Sequence, residues 1–369
     1  MKRKTRIISL LLAVITLTAL IFTSACTSEK YALKYKSTTA SENEYLYWLS
    51  GYKYLFLNYY LGGQDTDEAW NYKVSENGTT VEALLSSVAL ENIKNNVVLL
   101  ELAKEANIKL SNDDTKSVED YIASLIEKEG SREKLDSALS AYGVTSSMLK
   151  EIYIKQKKIE LERQSLFAEG GELALTDKER DDYFDSEYVR IKHIYINNVK
   201  DFARDDEGDL IIDSSTGTYK TRELSDEEKA EKTSLAKSIY ADINAGGDFD
   251  ALMQTNTADT TMNIYPNGYY VTASSTRLPT DLIKKALSMN EGESAYVESE
   301  IGIHIIKREP LEARAYADEA NSAFFTDFES TLESAKLSNF LSALTPEVEV
   351  NDEVIQSFSL RTCTANSSY

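Results

Sequence analysis

The chain has 369 residues, 42% of them hydrophobic, with 61 acidic against 40 basic side chains and a formal charge of −21. That balance argues against a nucleic-acid partner, which needs basic patches to meet phosphate. Two cysteines, two histidines, four prolines and 15 glycines leave no Cys/His metal spacing and no disulfide framework, and describe a helix-rich globular protein large enough for two domains.

Residues 1–25 read as an export signal. Lys2, Arg3, Lys4 and Arg6 precede an apolar run over 7–22, and Thr23-Ser24-Ala25 leads into Cys26. This plan belongs to a targeting segment rather than to the fold. Small residues directly before a cysteine resemble a bacterial lipobox, which implies lipidation of Cys26 and a membrane-anchored protein on the extracytoplasmic face. The alternative is an ordinary signal or a short anchor with Cys26 incidental. Residues 26–40 then read as a polar tether.

Ser41 followed by Glu44 fits a capping box. The helix it predicts, over 41–61, is so rich in Tyr, Trp, Phe and Leu that it reads either as a core helix with a wide buried face or as a greasy cradle for unfolded segments. Gly62-Gly63 opens a loop. Apolar residues at helical spacing predict further helices over 81–107, 111–130, 131–142 and 146–166, and Thr176 with Glu179 caps a short one over 176–183. The block 41–185 reads as all-helical, with no motif of reaction chemistry.

A sheet region follows. The β-branched run 189–196 carries His193, and the run 303–307 carries His304. Between them lie a polar insert over 197–221 with a hairpin tip near 209–212, helices over 225–244, 250–255 and 279–289, and a strand over 295–297. Residues 316–344 read as one more helix, 348–350 as a short strand, and the tail beyond Ile355 as disordered. The fold class is α+β.

Several blocks then fall in a familiar order: Lys192-His193-Ile194; Ala245-Gly246-Gly247-Asp248-Phe249 running on to Leu252; Thr257-Ala258-Asp259; Leu278 and Leu282; Ala286-Leu287; Gly292-Glu293 before Val297; Ser299; and Gly302-Ile303-His304-Ile305-Ile306. Together they resemble the parvulin-type peptidyl-prolyl isomerases. The sequence departs from that pattern at Pro266-Asn267-Gly268-Tyr269-Tyr270, at Leu282 where the family has Phe, and in the long insert. The wider layout resembles the membrane-anchored foldases of the PrsA type.

The resemblance implies an inserted antiparallel-sheet isomerase domain over 186–311. It also implies a chaperone domain built from 41–185 and 312–355, with 356–369 as a tail. Isomerising an X-Pro bond means twisting an amide against a barrier of about 18–20 kcal/mol. The reaction needs no nucleophile, metal or cofactor. The expected catalytic residues are His193, Asp259, His304 and Ser299, with the histidines as the hydrogen-bonded floor and Asp259 as the polar wall. The expected proline pocket is Leu278, Leu282, Tyr270 and Leu287. The partners implied are unfolded or partly folded exported clients and the membrane, through the lipid; the cradle is also compatible with a homodimer. The competing readings are a non-catalytic chaperone whose isomerase domain only binds, and, more remotely, a solute-binding lipoprotein.

Overall fold

A computed structural model describes residues 30–369, so the export signal and Cys26 lie outside the described residues. The chain divides into two compact units. One holds the described residues up to Ala174 together with Ala335–Tyr369, and the other is the continuous stretch Leu175–Ser334.

The first unit begins with β1 (Tyr31–Tyr35) and β2 (Thr38–Ser41), an antiparallel hairpin turned at Lys36, whose φ is 49°. The expected tether is thereby corrected. Its last ten residues hold a hairpin, and Ala32 and Leu33 are fully buried. Alternation over a five-residue strand is too short a signal to stand out beside a polar segment. The strand also needs a distant partner, in which Leu33 pairs with Val350.

Ser41 ends the hairpin and starts α1 (Glu42–Tyr59), with the capping box formed by Glu44. Tyr45, Tyr47, Trp48, Leu49 and Phe56 of this helix are buried, while Tyr54, Leu55 and Tyr59 are exposed. The helix therefore has a wide buried face and also carries exposed aromatics. Then follow α2 (Asp67–Asn71), α3 (Val81–Glu105), α4 (Asn112–Glu129), α5 (Arg132–Leu139) and α6 (Ser146–Phe167). Their stripes, among them Ile93, Val97, Ile122, Leu135 and Leu149, meet in one core.

The second unit begins with α7 (Asp177–Glu187), capped by Thr176 and Glu179. Next come β3 (Val189–Ile196), the insert strands β4 (Lys200–Phe202) and β5 (Thr221–Glu223), α8 (Asp226–Asn244), α9 (Phe249–Asn256), β6 (Tyr269–Val271), α10 (Thr280–Ser288), β7 (Ser294–Ser299) and β8 (Gly302–Glu309). The main sheet has the order β6-β3-β8-β7, and every pairing is antiparallel. The insert pairs β4 with β5, and its further bridges, Arg204 with Leu210 and Ile212 with Tyr219, make two turns rather than one tip.

The expected helix over 316–344 is also corrected. Short 3-10 helices occupy Ala315–Ala317 and Glu319–Phe324, and the α-helix α11 runs from Phe328 to Leu344. Asp318 accepts from the backbone of Ala320 at 2.9 Å. Such a local side-chain bond competes with helical pairing and holds the turn.

After α11 the chain returns to the first unit with β9 (Glu349–Val350) and α12 (Asp352–Ile355). Leu337, Leu341, Val348 and Val354 enter that unit's core. So does Leu360, which is fully buried, and Lys53 donates to the carbonyls of Arg361 and Cys363 at 2.9 and 3.0 Å. The tail beyond Ile355 is thus packed rather than disordered. Its polar sequence hides one apolar anchor and several backbone acceptors.

Candidate active site

The register of the sheet brings the histidines together. His304 lies opposite Tyr195 and His193 opposite Ile306. Side chains alternate along a strand, so His193, Tyr195 and His304 share one face, with the two imidazoles as diagonal neighbours. Their rings lie 5.1 Å apart and nearly parallel. His193 Nε2 and His304 Nδ1 are 2.9 Å apart, both residues are buried, and the bond closes a link between positions 111 residues apart.

The pair extends at both ends. Ser299 of β7 places its Oγ 2.7 Å from His304 Nε2. Asp259 places its Oδ2 2.9 Å from His193 Nδ1. Asp259 sits at the start of a 3-10 turn and accepts from Thr261 N–H through its other oxygen, Oδ1, at 2.9 Å. Thr257 fixes this loop to β3, since its hydroxyl oxygen accepts from the backbone of Tyr195 at 3.0 Å and of Asp259 at 3.1 Å.

Electrostatics give this chain a direction. Burial opposes ionisation of Asp259, but hydrogen bonds from His193 and Tyr269 outweigh it and hold the carboxyl well below the usual carboxylate range. An ionised carboxylate only accepts, so His193 Nδ1 carries the proton. In the neutral ring His193 Nε2 then accepts from His304 Nδ1–H, and His304 Nε2 accepts from the Ser299 hydroxyl. Burial, helped by the neighbouring His193, pushes His304 down to about 4, which keeps its ring neutral at physiological pH. The tautomers are assigned from this network.

The expected residues divide cleanly by position. His193, Asp259, His304 and Ser299 form one continuous hydrogen-bonded chain. A cavity of about 410 Å³ opens beside it, and Leu278 and Tyr270 line that cavity together with His193, Asp259 and His304. Leu282 and Leu287 stand apart from it. Leu282 is fully buried in the sheet-helix core and Leu287 packs half-buried against the same core, so neither lines the cavity.

Two contributors escaped sequence reasoning. Tyr269 donates its hydroxyl to Asp259 Oδ2. Its neighbour Tyr270 points to the opposite side of β6 and donates to Glu312 at 2.8 Å. The tandem Tyr-Tyr was visible, but choosing between its members needed the strand's register. Phe324 also lines the cavity; its position after the sheet gave no local signal. Among the described residues no group of three His, Cys, Asp or Glu could hold a metal ion, and no helix is long and apolar enough to cross a membrane.

Residues 175–310 match the family described as PPIC-type PPIASE domain. Among solved structures, the foldase protein PrsA of Streptococcus pneumoniae is 18% identical, with 77% of this chain and 97% of that one covered, at a TM-score of 0.23. PrsA of Bacillus cereus is 17% identical over 79% of this chain and 97% of its own, at 0.29. A SurA-like chaperone of Campylobacter jejuni is 9% identical over 72% and 87%, at 0.25. No curated protein matches the chain significantly. Whole-chain likeness of this order carries no functional weight beside the domain match and the side chains of the site.

Proposed function

We propose that this chain, which carries a PPIC-type PPIase domain over residues 175–310, is a membrane-anchored foldase that isomerises X-Pro bonds in exported proteins. The observation that carries the reading is the directed chain Ser299–His304–His193–Asp259 beside a cavity of about 410 Å³. A planar amide owes part of its oxygen's negative charge to resonance, and twisting removes that charge. A fixed anion near the oxygen therefore disfavours the planar state more than the twisted one, which is differential stabilisation of the transition state. Asp259 is that anion. His193, itself bonded to His304, and Tyr269 hold it in place, so little reorganisation is needed when a substrate enters. Leu278 offers apolar surface to the pyrrolidine ring. Placement on the extracytoplasmic face, with lipidation at Cys26, rests on the signal-like sequence of residues 1–26.

Exchange spectroscopy of a proline tetrapeptide with the chain from residue 27 onward tests the enzyme. Catalysed cis–trans exchange is expected, and it should drop steeply in His193→Gln and Asp259→Asn. Exchange at the uncatalysed rate in the parent chain removes the enzymatic half. The anchor is tested by the mass of the processed N-terminus in cells, with Cys26→Ala expected to leave the membrane fraction.

A second reading, a holdase without turnover, is favoured by the exposed aromatics Tyr54, Tyr59, Tyr60 and Tyr72. Exposed apolar groups of this kind mark interaction surfaces when contiguous. Suppression of client aggregation that survives His193→Gln but is lost when Tyr59 and Tyr60 become Ser would support it.

A further inference from the structure

The cavity beside the histidines has a mixed wall, in which Val271, Leu278, Pro279 and Ile301 give apolar surface. Thr260, Thr261, Thr272, Ser274, Ser275 and Thr276 give it a hydroxyl-rich lining, and Leu282, fully buried, does not line it. A pyrrolidine ring needs an apolar surface on which to rest while its amide turns. The segment that follows the matched domain adds to that surface with an aromatic ring. Ala323, Phe324, Thr326 and Asp327 all line the same cavity, although the family match ends at residue 310.

This segment is firmly held. Phe325 is buried, with its ring centroid 5.2 Å from Tyr188 and 5.1 Å from Tyr270. Asn321 donates to the carbonyl of Ala315 at 3.3 Å, and Tyr316 stacks on Phe328 at 4.6 Å. With Phe325 as the anchor, its neighbour Phe324 is left half-buried. Its ring meets Tyr265 edge-on at 4.7 Å and Tyr269 at 5.7 Å. Tyr269 is the side chain that donates to Asp259, so Phe324 stands one ring away from the polar wall.

We propose that Phe324, outside the matched isomerase domain, is a substrate-contacting wall of the proline site, against which the pyrrolidine ring of an X-Pro peptide packs. The inference rests on the isomerase reading for its ligand class. A plug is the competing role. The cavity nevertheless stays open at about 410 Å³ with Phe324 in place, within the range of small-molecule sites, so the ring bounds the space without filling it. Aromatic faces and edges add affinity beyond the area they bury.

The test is peptide binding, measured by calorimetry on the chain from residue 27 onward with the tetrapeptide Ala-Leu-Pro-Phe, alongside its exchange rate. Phe324→Ala is expected to weaken binding roughly 5- to 20-fold, with kcat/KM falling through KM while kcat holds. Phe324→Leu should recover part of the loss. Unchanged affinity, or tighter binding and faster exchange as expected of a removed plug, overturns the proposal. Should Phe324→Ala lose its near-ultraviolet dichroism, Ala323→Trp decides. Narrowing the cavity must weaken binding, and unaltered binding overturns the wall. A parent chain that binds the peptide without turning it over removes the catalytic reading and leaves the wall standing. A parent chain that binds no proline peptide removes both.

Discussion

Asp259 is linked to His304 through His193 without touching it. The carboxylate accepts from His193 Nδ1, and when the His193 ring is neutral its Nε2 accepts from His304 Nδ1 at 2.9 Å. One buried charge thus orders two rings and leaves His304 Nε2 to receive the Ser299 hydroxyl at 2.7 Å.

Asp259→Asn should break that order while changing almost no volume. The Oδ1 side of the carboxylate meets Thr261 N–H and the Oδ2 side meets His193 and Tyr269. Either orientation of an amide therefore turns its NH₂ against a donor. A loss of about 1–3 kcal/mol is expected in urea denaturation. In nitrogen-15 spectra of the imidazoles, His193 should be protonated at Nδ1 in the parent chain and shift in the variant. A parent spectrum with the proton on Nε2 of both rings would contradict the assigned direction.

Stability of the Leu175–Ser334 unit should fall on mild acidification. His304 is held at about 4, below the ordinary value of 6.5. The unfolded chain thus takes up a proton at a pH where the folded chain does not. The contribution is complete above pH 6.5 and lost as the pH falls to about 4, in total roughly 3 kcal/mol. Asp259, also depressed, adds a loss of the same sign as the pH falls below its ordinary value of 3.8. Melting temperatures measured from pH 7.5 to 4.5 should decline, and His304→Gln should flatten the slope. A flat profile between pH 7 and 5 in the parent chain contradicts the burial argument.

Gly268→Ala should dislodge β6. Gly268 has a φ of +111°, and a Cβ there would lie 2.5 Å from the carbonyl oxygen of Ile191. Left-handed strain alone is worth about 1–3 kcal/mol, and the clash adds to it. Tyr269 follows directly, so its bond to Asp259 should go as well. Faster amide exchange across Tyr269–Val271, with β7 and β8 unaffected, is the expected signature.

The long helices and the two histidine strands were legible because each carries its signal locally. Ser41 with Glu44 and Thr176 with Glu179 announce helix starts three residues apart, and both capping boxes form. Runs such as Ile191 to Ile196 and Ile303 to Ile306 hold enough β-branched side chains to stand as strands. What was missed depends on remote partners. β1 is completed by Val350, three-residue β6 exists by pairing with β3, and Tyr269 matters through Asp259. Within the site, the polar chain could be placed because the chain has only two histidines and because Asp259 and Ser299 fall on the parvulin-type pattern that the surrounding blocks resemble. The apolar wall could not, because Leu278, Leu282 and Leu287 look alike in sequence and only packing separates the one that faces the cavity from those that do not.

Leu360→Ala should destabilise the first unit by about 2–5 kcal/mol, since the side chain is fully buried. Ending the chain after Ile355 should do at least as much, because Lys53 then loses both carbonyls it donates to. A denaturation midpoint unchanged by the truncation would return the tail to the status of an ornament.

The pairing of Leu33 with Val350 imposes a timetable on synthesis. A ribosome releases the chain from its N-terminus, and domains fold as units once their residues are out. Leu175–Ser334 is contiguous and can close as soon as it emerges. The unit that begins first must wait longest, because its sheet and part of its core need Leu337, Leu341, Val348, Val354 and Leu360. Until then α1 and α3 present apolar surface with no final partner. A protein proposed to help other chains fold is thereby, during its own birth, a late folder with the same need for protection.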